Sequence, residues 1–222
     1  MRKIKNFLVS DVCGTLFYEN TTIGFIKFHL KKIYSFKFFI FIILTSNFSP
    51  IIMVFKLYEY IFPQNKFFFK KFVIFFLKGE NVKNIKKSAF LYTNFLYEKK
   101  KIKPAWDCIN KYKKENRIIL ASSSIDPVVK QISEKMNADY VSSLLEIKNG
   151  KYTGKLKFDI LNCKKEYLKS KGIDCNKINI VLSDNYEDLN LIKNANKGIA
   201  IIHSLKKSIF WKKNKVKNLL WV

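Results

Sequence analysis

Residues 7–15 read Phe-Leu-Val-Ser-Asp-Val-Cys-Gly-Thr. The short apolar run Phe7-Leu8-Val9-Ser10 stops at Asp11 and gives way to Gly14-Thr15. Such a run, bounded by a turn signal, predicts a buried parallel strand that delivers a carboxylate to its C-terminal end. The pattern recurs downstream. Residues 117–121 form an apolar run that ends in Ser122-Ser123-Ser124, and residues 178–182 form one that ends in Ser183-Asp184, with Asp188 close behind. Residues 138–141 and 198–202 read as two more strands. Helical stretches intervene: one opened by Pro104, one by Asp126-Pro127, one over 164–171 closed by Gly172, and one from about Glu187 to Asn194. Asn149-Gly150 with Tyr152-Thr153-Gly154 signals a hairpin. This alternation predicts an α/β fold, a Rossmann-like parallel sheet covered by helices.

The stretch between the first strand and Lys103 has a different character. From Thr22 to Leu77 Phe and Ile dominate, punctuated by Lys, with breakers at Ser49-Pro50 and Pro63. Residues 82–96 then place Ile85, Ala89, Phe90, Tyr92, Phe95 and Leu96 at helical spacing. The expected organisation is an α/β core from residues 1–20 and 100–222, with an all-α insertion over 21–99. Between Lys37 and Lys56 lie eighteen uncharged residues, enough to approach a bilayer span as one helix. Thr45-Ser46-Asn47 and Ser49-Pro50 interrupt that run midway and predict a helical hairpin instead.

Composition narrows the partners. Of 222 residues 42 are basic and 17 acidic, a net charge of +25 that favours anionic partners. The lysines are spread along the chain, and no aromatic-plus-basic nucleic-acid motif or zinc-finger spacing occurs, so no specific nucleic-acid binding is expected. Cys13, Cys108, Cys163 and Cys175 form no CxxC pair and read as reduced thiols. His29 and His203 are too few and too far apart for a zinc site. A basic start followed by a strand rather than a long apolar segment does not read as a secretion signal. The expected location is cytoplasmic, extending to the inner face of a membrane if the insertion meets lipid.

Three strand ends therefore carry polar groups: Asp11 with Gly14 and Thr15, Ser122 with Ser123, and Asp184 with Asp188. Ligands of open α/β sheets bind beyond the carboxyl ends of the strands, where these groups can converge. Two carboxylates at one edge repel unless a cation lies between them, and oxygen-only ligands favour magnesium. A hydroxyl can hold a phosphate oxygen and a lysine can neutralise charge on a transferring phosphoryl group. Nucleophile, metal and positive donors are the main needs of phosphoryl transfer.

In this order and spacing the residues resemble the haloacid dehalogenase superfamily. Asp11-Val12-Cys13-Gly14-Thr15-Leu16 is similar to its first motif, and Ile119-Leu120-Ala121-Ser122 to its second. Lys164 (or its neighbour Lys165) matches the third, and Ser183-Asp184 through Asp188 the fourth. Glu146, Gly150 and Gly154 resemble a pattern of the subgroup related to phosphoserine phosphatase, which carries a helical cap after the first motif. The resemblance implies a magnesium-dependent phosphatase in which Asp11 attacks phosphorus and forms an aspartyl-phosphate. Asp11, Asp184 and the carbonyl of Cys13 would hold Mg2+. Ser122, Ser123 and Gly14 would hold the phosphoryl group, Lys164 would offset charge, and Asp188 and Thr15 would support the site. The substrate would be a small or lipid-linked phosphomonoester.

One position departs from the family pattern. Members usually carry a second Asp two residues after the nucleophile, serving as general acid and then base; here it is Cys13. General acid–base help is worth about 10²–10⁴ in rate. The alternative is therefore a catalytically weak relative that binds a phosphorylated ligand or a membrane. No histidine partner marks Cys13 as a nucleophile in its own right. For the insertion three readings stand: a cap over the active site, a cap that also dips into an anionic membrane surface through residues 24–78, or a transmembrane pair. Lys31, Lys32, Lys37, Lys56, Lys70 and Lys71 would face lipid headgroups in the second.

Overall fold

A computed structural model describes residues 6–33, 35–46, 49–61 and 68–222. Seven strands make one sheet: β1 (Asn6–Ser10), β2 (Asn116–Ile125), β3 (Asp139–Lys148), β4 (Lys151–Phe158), β5 (Ile178–Ser183), β6 (Lys197–Ile202) and β7 (Asn218–Trp221). Their order is β4-β3-β2-β1-β5-β6-β7. Every neighbouring pair is parallel except the β3–β4 hairpin. The chain runs outward from β1 through β2 to β3, then returns to the other side of β1 as β5. Strand order thus reverses at β1, the place where open α/β sheets leave a crevice beyond their carboxyl ends.

Alternation along the strands divides the core. Leu8 and Leu120 point to an apolar cluster shared with helices α1 (Thr21–Ile33), α5 (Val82–Lys99), α6 (Lys103–Tyr112) and α7 (Asp126–Met136). Val9, Ile119 and Val181 point the other way, to Leu168 of α8 (Lys164–Ser170), Leu191 and Ile192 of α9 (Leu189–Asn194), and Trp211 of α10 (Leu205–Lys213). Burying each large apolar side chain stabilises the fold by about 1.5–3 kcal/mol, so both faces must be covered. This is the physical reason a strand such as β1 has no polar face.

Between β1 and α6 the chain is helical: α1, α2 (Ser35–Thr45), α3 (Pro50–Ile61), α4 (Phe68–Phe75) and α5. Phe25, Ile26 and Leu30 of α1 join Ile85, Ala89 and Tyr92 of α5 in the same apolar cluster as the sheet. The eighteen uncharged residues do not form one helix. Helix α2 stops at Thr45, whose hydroxyl donates to Phe41 O (2.6 Å), and Pro50 opens α3. Among the described residues no helix is long and apolar enough to cross a membrane. Asn47, Pro63 and Phe67 lie outside the described residues.

Several details differ from the sequence reading. Phe90, at core spacing in α5, is 55% exposed; the inward stripe is Ile85, Ala89, Tyr92 and Leu96. The serines after residue 121 continue β2 rather than ending it. A 3₁₀ turn (Tyr186–Asp188) precedes α9, so that helix starts at Leu189. Helix α10 and strand β7 were not legible at all, because their apolar residues follow neither period clearly. Gly154 shows why the hairpin needs glycine: its φ is +79°, and a Cβ there would lie 3.2 Å from the Phe75 backbone at the end of α4.

Candidate active site

Asp11 leaves β1 with its N–H donating to Leu182 O (2.9 Å), so the β1–β5 pairing carries Asp11 to the strand end that bears Asp184. Two neighbours fix Asp184. Its N–H donates to Thr15 Oγ1 (3.0 Å), and that hydroxyl donates to Asp184 Oδ1 (3.2 Å). The carboxylate lies against Gly14, whose φ is +63°; a Cβ there would fall 2.5 Å from Asp184 Oδ2. A larger residue at position 14 would be both strained and in collision.

Lys164, at the start of α8, is buried between two carboxylates. Its Nζ donates to Asp188 Oδ2 (2.7 Å) and lies 3.3 Å from Asp11 Oδ1. Burial opposes its charge, but Asp11 and Asp188 outweigh that penalty and raise its pKa above the ordinary lysine value. Ser183 Oγ donates to the same Asp188 oxygen (2.6 Å). Lys165 lines a separate depression with Lys169 and Asp174. Geometry therefore brings Lys164, and not Lys165, to the carboxylates.

Asp11 is the strained member electrostatically. Burial raises its pKa from 3.8 to about 6, Lys164 pulls it down, and Asp188 and Asp184 push it up. Asn185 Nδ2 offers Oδ2 only a long contact (3.4 Å). Ser122 is fully buried on β2, next to β1, and its Oγ accepts the Ser124 N–H (3.3 Å). Ser123 and Ser124, Cys13, Gly14, Asp184 and Asn185 line a cleft of about 720 Å³, walled by Phe69, Lys70 and Val73 of the insertion.

The sequence of residues 8–193 matches the haloacid dehalogenase-like hydrolases. The chain belongs to that family. It is a hydrolase with the family's α/β core, and its fold is shared with phosphatases. A structure described as the phospho-aspartyl intermediate analogue of phosphoserine phosphatase is 20% identical, with a TM-score of 0.58 over 98% of this chain and 94% of that one. A Bordetella pertussis Tohama I protein of unknown function is 12% identical, with a TM-score of 0.69 over 98% and 99% of the two chains. Cytosolic 5'-nucleotidase IIIB bound to cytidine is 12% identical, with a TM-score of 0.61 over 98% and 80%. At these identities the likeness is one of fold. No curated protein matches the chain by sequence.

Hydrolases of this family are expected to use magnesium, and the donors here suit such an ion. Asp11 Oδ1 is buried without a hydrogen-bond donor, the Lys164 ammonium being near but poorly aligned. A buried carboxylate with its pKa pushed upward is short of positive charge, which a hard cation supplies. Among the described residues no group of three or more His, Cys, Asp or Glu side chains could hold a metal. The available set is two carboxylates, Asp11 and Asp184, with main-chain carbonyls.

Cys13 sits among polar partners. Thr21 N–H reaches its Sγ (3.3 Å), and the hydroxyls of Thr21 and Ser124 each lie 2.9 Å away. Burial and the Asp11 charge raise the thiol pKa, so the thiol is protonated and a poor nucleophile.

Three residues around the site escaped the sequence reading. Lys70, grouped there with the headgroup lysines, instead points inward: its Nζ donates to Ser123 O (2.7 Å), Ser143 Oγ (3.0 Å) and Asp159 Oδ1 (2.6 Å). Burial lowers its pKa, and Asp159 opposes that. His203 Nε2 meets Gly14 O (2.5 Å), and Lys207 pairs with Asp184. In a chain with so many lysines no local signal separates these from the solvated ones.

Proposed function

We propose that this hydrolase is a magnesium-dependent phosphatase acting on a phosphorylated small molecule through an aspartyl-phosphate on Asp11. The observation that carries the reading is Asp11 beside Lys164 at the end of β1, with Asp184 fixed at the end of β5 and the neighbouring β2 carrying Ser122, next to a cleft lined by Asp184 and Ser123 that can hold a small ligand. Among these groups Asp11 alone is a carboxylate with a buried oxygen that accepts no hydrogen bond, so it is the nucleophile. Its Oδ1 bonds to phosphorus as the P–O bond to the leaving group breaks. Ser122 Oγ and main-chain N–H groups near Gly14 and Ser123 hold the phosphoryl oxygens. Lys164, itself held by Asp188, balances their charge. Water then attacks the same phosphorus, releasing inorganic phosphate and restoring the Asp11 carboxylate. Magnesium, held by Asp11, Asp184 and the Cys13 carbonyl, would supply charge neutralisation at the transferring group.

Helices α1–α5 act as the cap in this reading. Lys70 supports it by tying α4 to Ser123 and Asp159 of the core. With Cys13 where an acid–base carboxylate would stand, the leaving oxygen receives no proton from position 13. Good leaving groups are therefore the favoured substrates. The test is Asp11→Asn with phosphomonoesters and magnesium, together with labelling by beryllium fluoride. Wild type should turn over and label, and the mutant should do neither. Equal turnover by both proteins removes Asp11 from the mechanism.

A second reading adds an anionic membrane surface, and with it a lipid-linked phosphomonoester. It is favoured by exposed apolar stripes on three neighbouring helices: Phe36, Phe39 and Ile43 of α2, Met53, Val54, Leu57 and Ile61 of α3, and Phe68 and Phe75 of α4. Residues 24–78 contain nine lysines and one acidic residue, Glu59. Pairing two copies through this face would set like charges together, whereas anionic lipid complements them. Lys31, Lys32, Lys37 and Lys71 are exposed; the Lys56 side chain lies outside the described residues. Each lysine near such a surface adds about 1 kcal/mol, less as salt rises. Co-sedimentation with phosphatidylglycerol vesicles but not phosphatidylcholine vesicles, weakened by salt, is the expected result. Indifference to both vesicle types leaves only the cap.

A further inference from the structure

Two lysine–carboxylate pairs flank Asp11, and they differ in kind. Lys164 with Asp188 is interior: both side chains are about 5% exposed, and Ser183 completes the group. Lys207 with Asp184 sits at the rim, with side chains 24% and 13% exposed. Lys207 belongs to the first turn of α10, where Ser204 Oγ accepts its main-chain N–H (3.3 Å) and fixes its backbone. Its long side chain reaches back over the Tyr186 ring (5.8 Å to the centroid) to Asp184. There the ammonium donates to Oδ2 and also to the Asp184 carbonyl (3.0 Å). The other carboxylate oxygen is taken by Thr15 (3.2 Å), and the Gly14 main chain closes one side. Asp11 Oδ1 accepts no hydrogen bond and has only the Lys164 ammonium 3.3 Å away.

From this geometry we infer that Lys207 is a displaceable counter-ion on Asp184: it holds that carboxylate in place without metal and sets how tightly a divalent cation binds. The inference rests on the reading of Asp184 as a magnesium ligand. An ammonium on Oδ2 and a cation bound by the same carboxylate compete for one negative charge. The cation must therefore displace Lys207 or share a weakened ligand with it. Displacement is cheap in structural terms, because the side chain is at the rim and can turn into water while the capped backbone stays put. Lys164 cannot do this, being enclosed by its two carboxylates. Lys207 is thus a positioning residue acting through Asp184, outside the reacting atoms.

The test is magnesium binding itself, followed by isothermal titration calorimetry and by the magnesium-dependent shift in melting temperature. The proteins are wild type, Lys207→Met, Lys207→Arg and Asp184→Asn. Removing the charge in Lys207→Met should tighten Mg2+ binding about two- to fivefold, the range expected for a partly exposed ion pair. It should also lower the melting temperature of the metal-free protein, because the three carboxylates then share one cation fewer. Lys207→Arg should keep the wild-type affinity within about twofold. Unchanged or weaker binding by Lys207→Met, with wild type binding and Asp184→Asn not, overturns the inference while leaving the metal site intact. Equal binding by Asp184→Asn and wild type, or none by any of the four, overturns the magnesium reading as well. Should Lys207→Met fold poorly, Lys207→Gln carries the same comparison.

Discussion

Replacing Cys13 by Asp should increase hydrolysis, and the surroundings of the thiol say by how much. Its Sγ already receives the Thr21 N–H and lies within reach of the Thr21 and Ser124 hydroxyls, so the introduced carboxyl meets three groups able to donate to it. Accommodation is therefore not the obstacle. Burial and the charge of Asp11 raise the thiol pKa, and the same two forces act on a carboxyl in that place. They keep part of it protonated near neutrality, as a general acid requires, while the three donors pull in the opposite direction. Full acid–base help is worth about 10²–10⁴; with those donors opposing protonation, about 10²-fold on an alkyl phosphate is the expected gain. An aryl phosphate, whose leaving group needs little protonation, should gain about tenfold or less. The assay compares kcat/KM for both esters with magnesium, and the mutant should add a falling alkaline limb to the pH profile of the alkyl ester. A loss on both esters, with melting temperature and magnesium affinity unchanged, refutes this account and points to a thiol adapted to other chemistry.

Other outcomes follow from the same geometry. Gly14→Ala places a Cβ 2.5 Å from Asp184 Oδ2 at a φ of +63°, so magnesium affinity in calorimetry should fall about tenfold or more, with about 1–2 kcal/mol of stability lost in urea melts. Lys164→Met leaves Asp11 and Asp188 facing each other in a buried site; turnover should drop by 10² or more, and stability by about 3–5 kcal/mol in the same melts. The pKa of Asp11 is raised from 3.8 to about 6, so its stabilising contribution is complete below pH 4 and lost as pH climbs through about 6. Asp11→Asn should therefore stabilise the metal-free protein at pH 7 by about 1–3 kcal/mol and flatten its melting temperature between pH 4 and 6. In turnover assays bound magnesium favours the Asp11 carboxylate, so the acid limb of wild type should lie below pH 6. Equal pH dependence of stability in wild type and mutant contradicts the burial argument.

The strands and the order of the site groups were legible because they depend on local facts. A β-strand buried on both faces needs an unbroken apolar run, so β1, β2, β5 and β6 announced themselves. A carboxylate directly after such a run sits at the strand's carboxyl end, and Asp11 and Asp184 were placed from that alone, whereas Ser122 lies inside β2, which runs on to Ile125. The turn at Ser49-Pro50 was equally local, since proline begins helices and seldom continues them. Elements without a clear period, α10 and β7, stayed hidden. So did the direction in which Phe90 points, because α5 carries more apolar residues than its neighbours can cover.

Which lysine serves which carboxylate was decided only in three dimensions. Every lysine has the same chemistry in sequence, and the chain holds too many for spacing to select among them. The fold buries Lys164 between Asp11 and Asp188, draws Lys70 down from the insertion to Ser123 and Asp159, and brings Lys207 back from α10 onto Asp184. The same holds for Cys13, whose identity was plain but whose three hydrogen-bonding partners come from Thr21 and from Ser124, 111 residues away. Hydrophobic periodicity is a property of neighbours along the chain, so sequence alone determined the layers and where most strands begin. Charge pairing and pKa depend on distances across the fold and on exclusion of water, which only the packed tertiary structure decides.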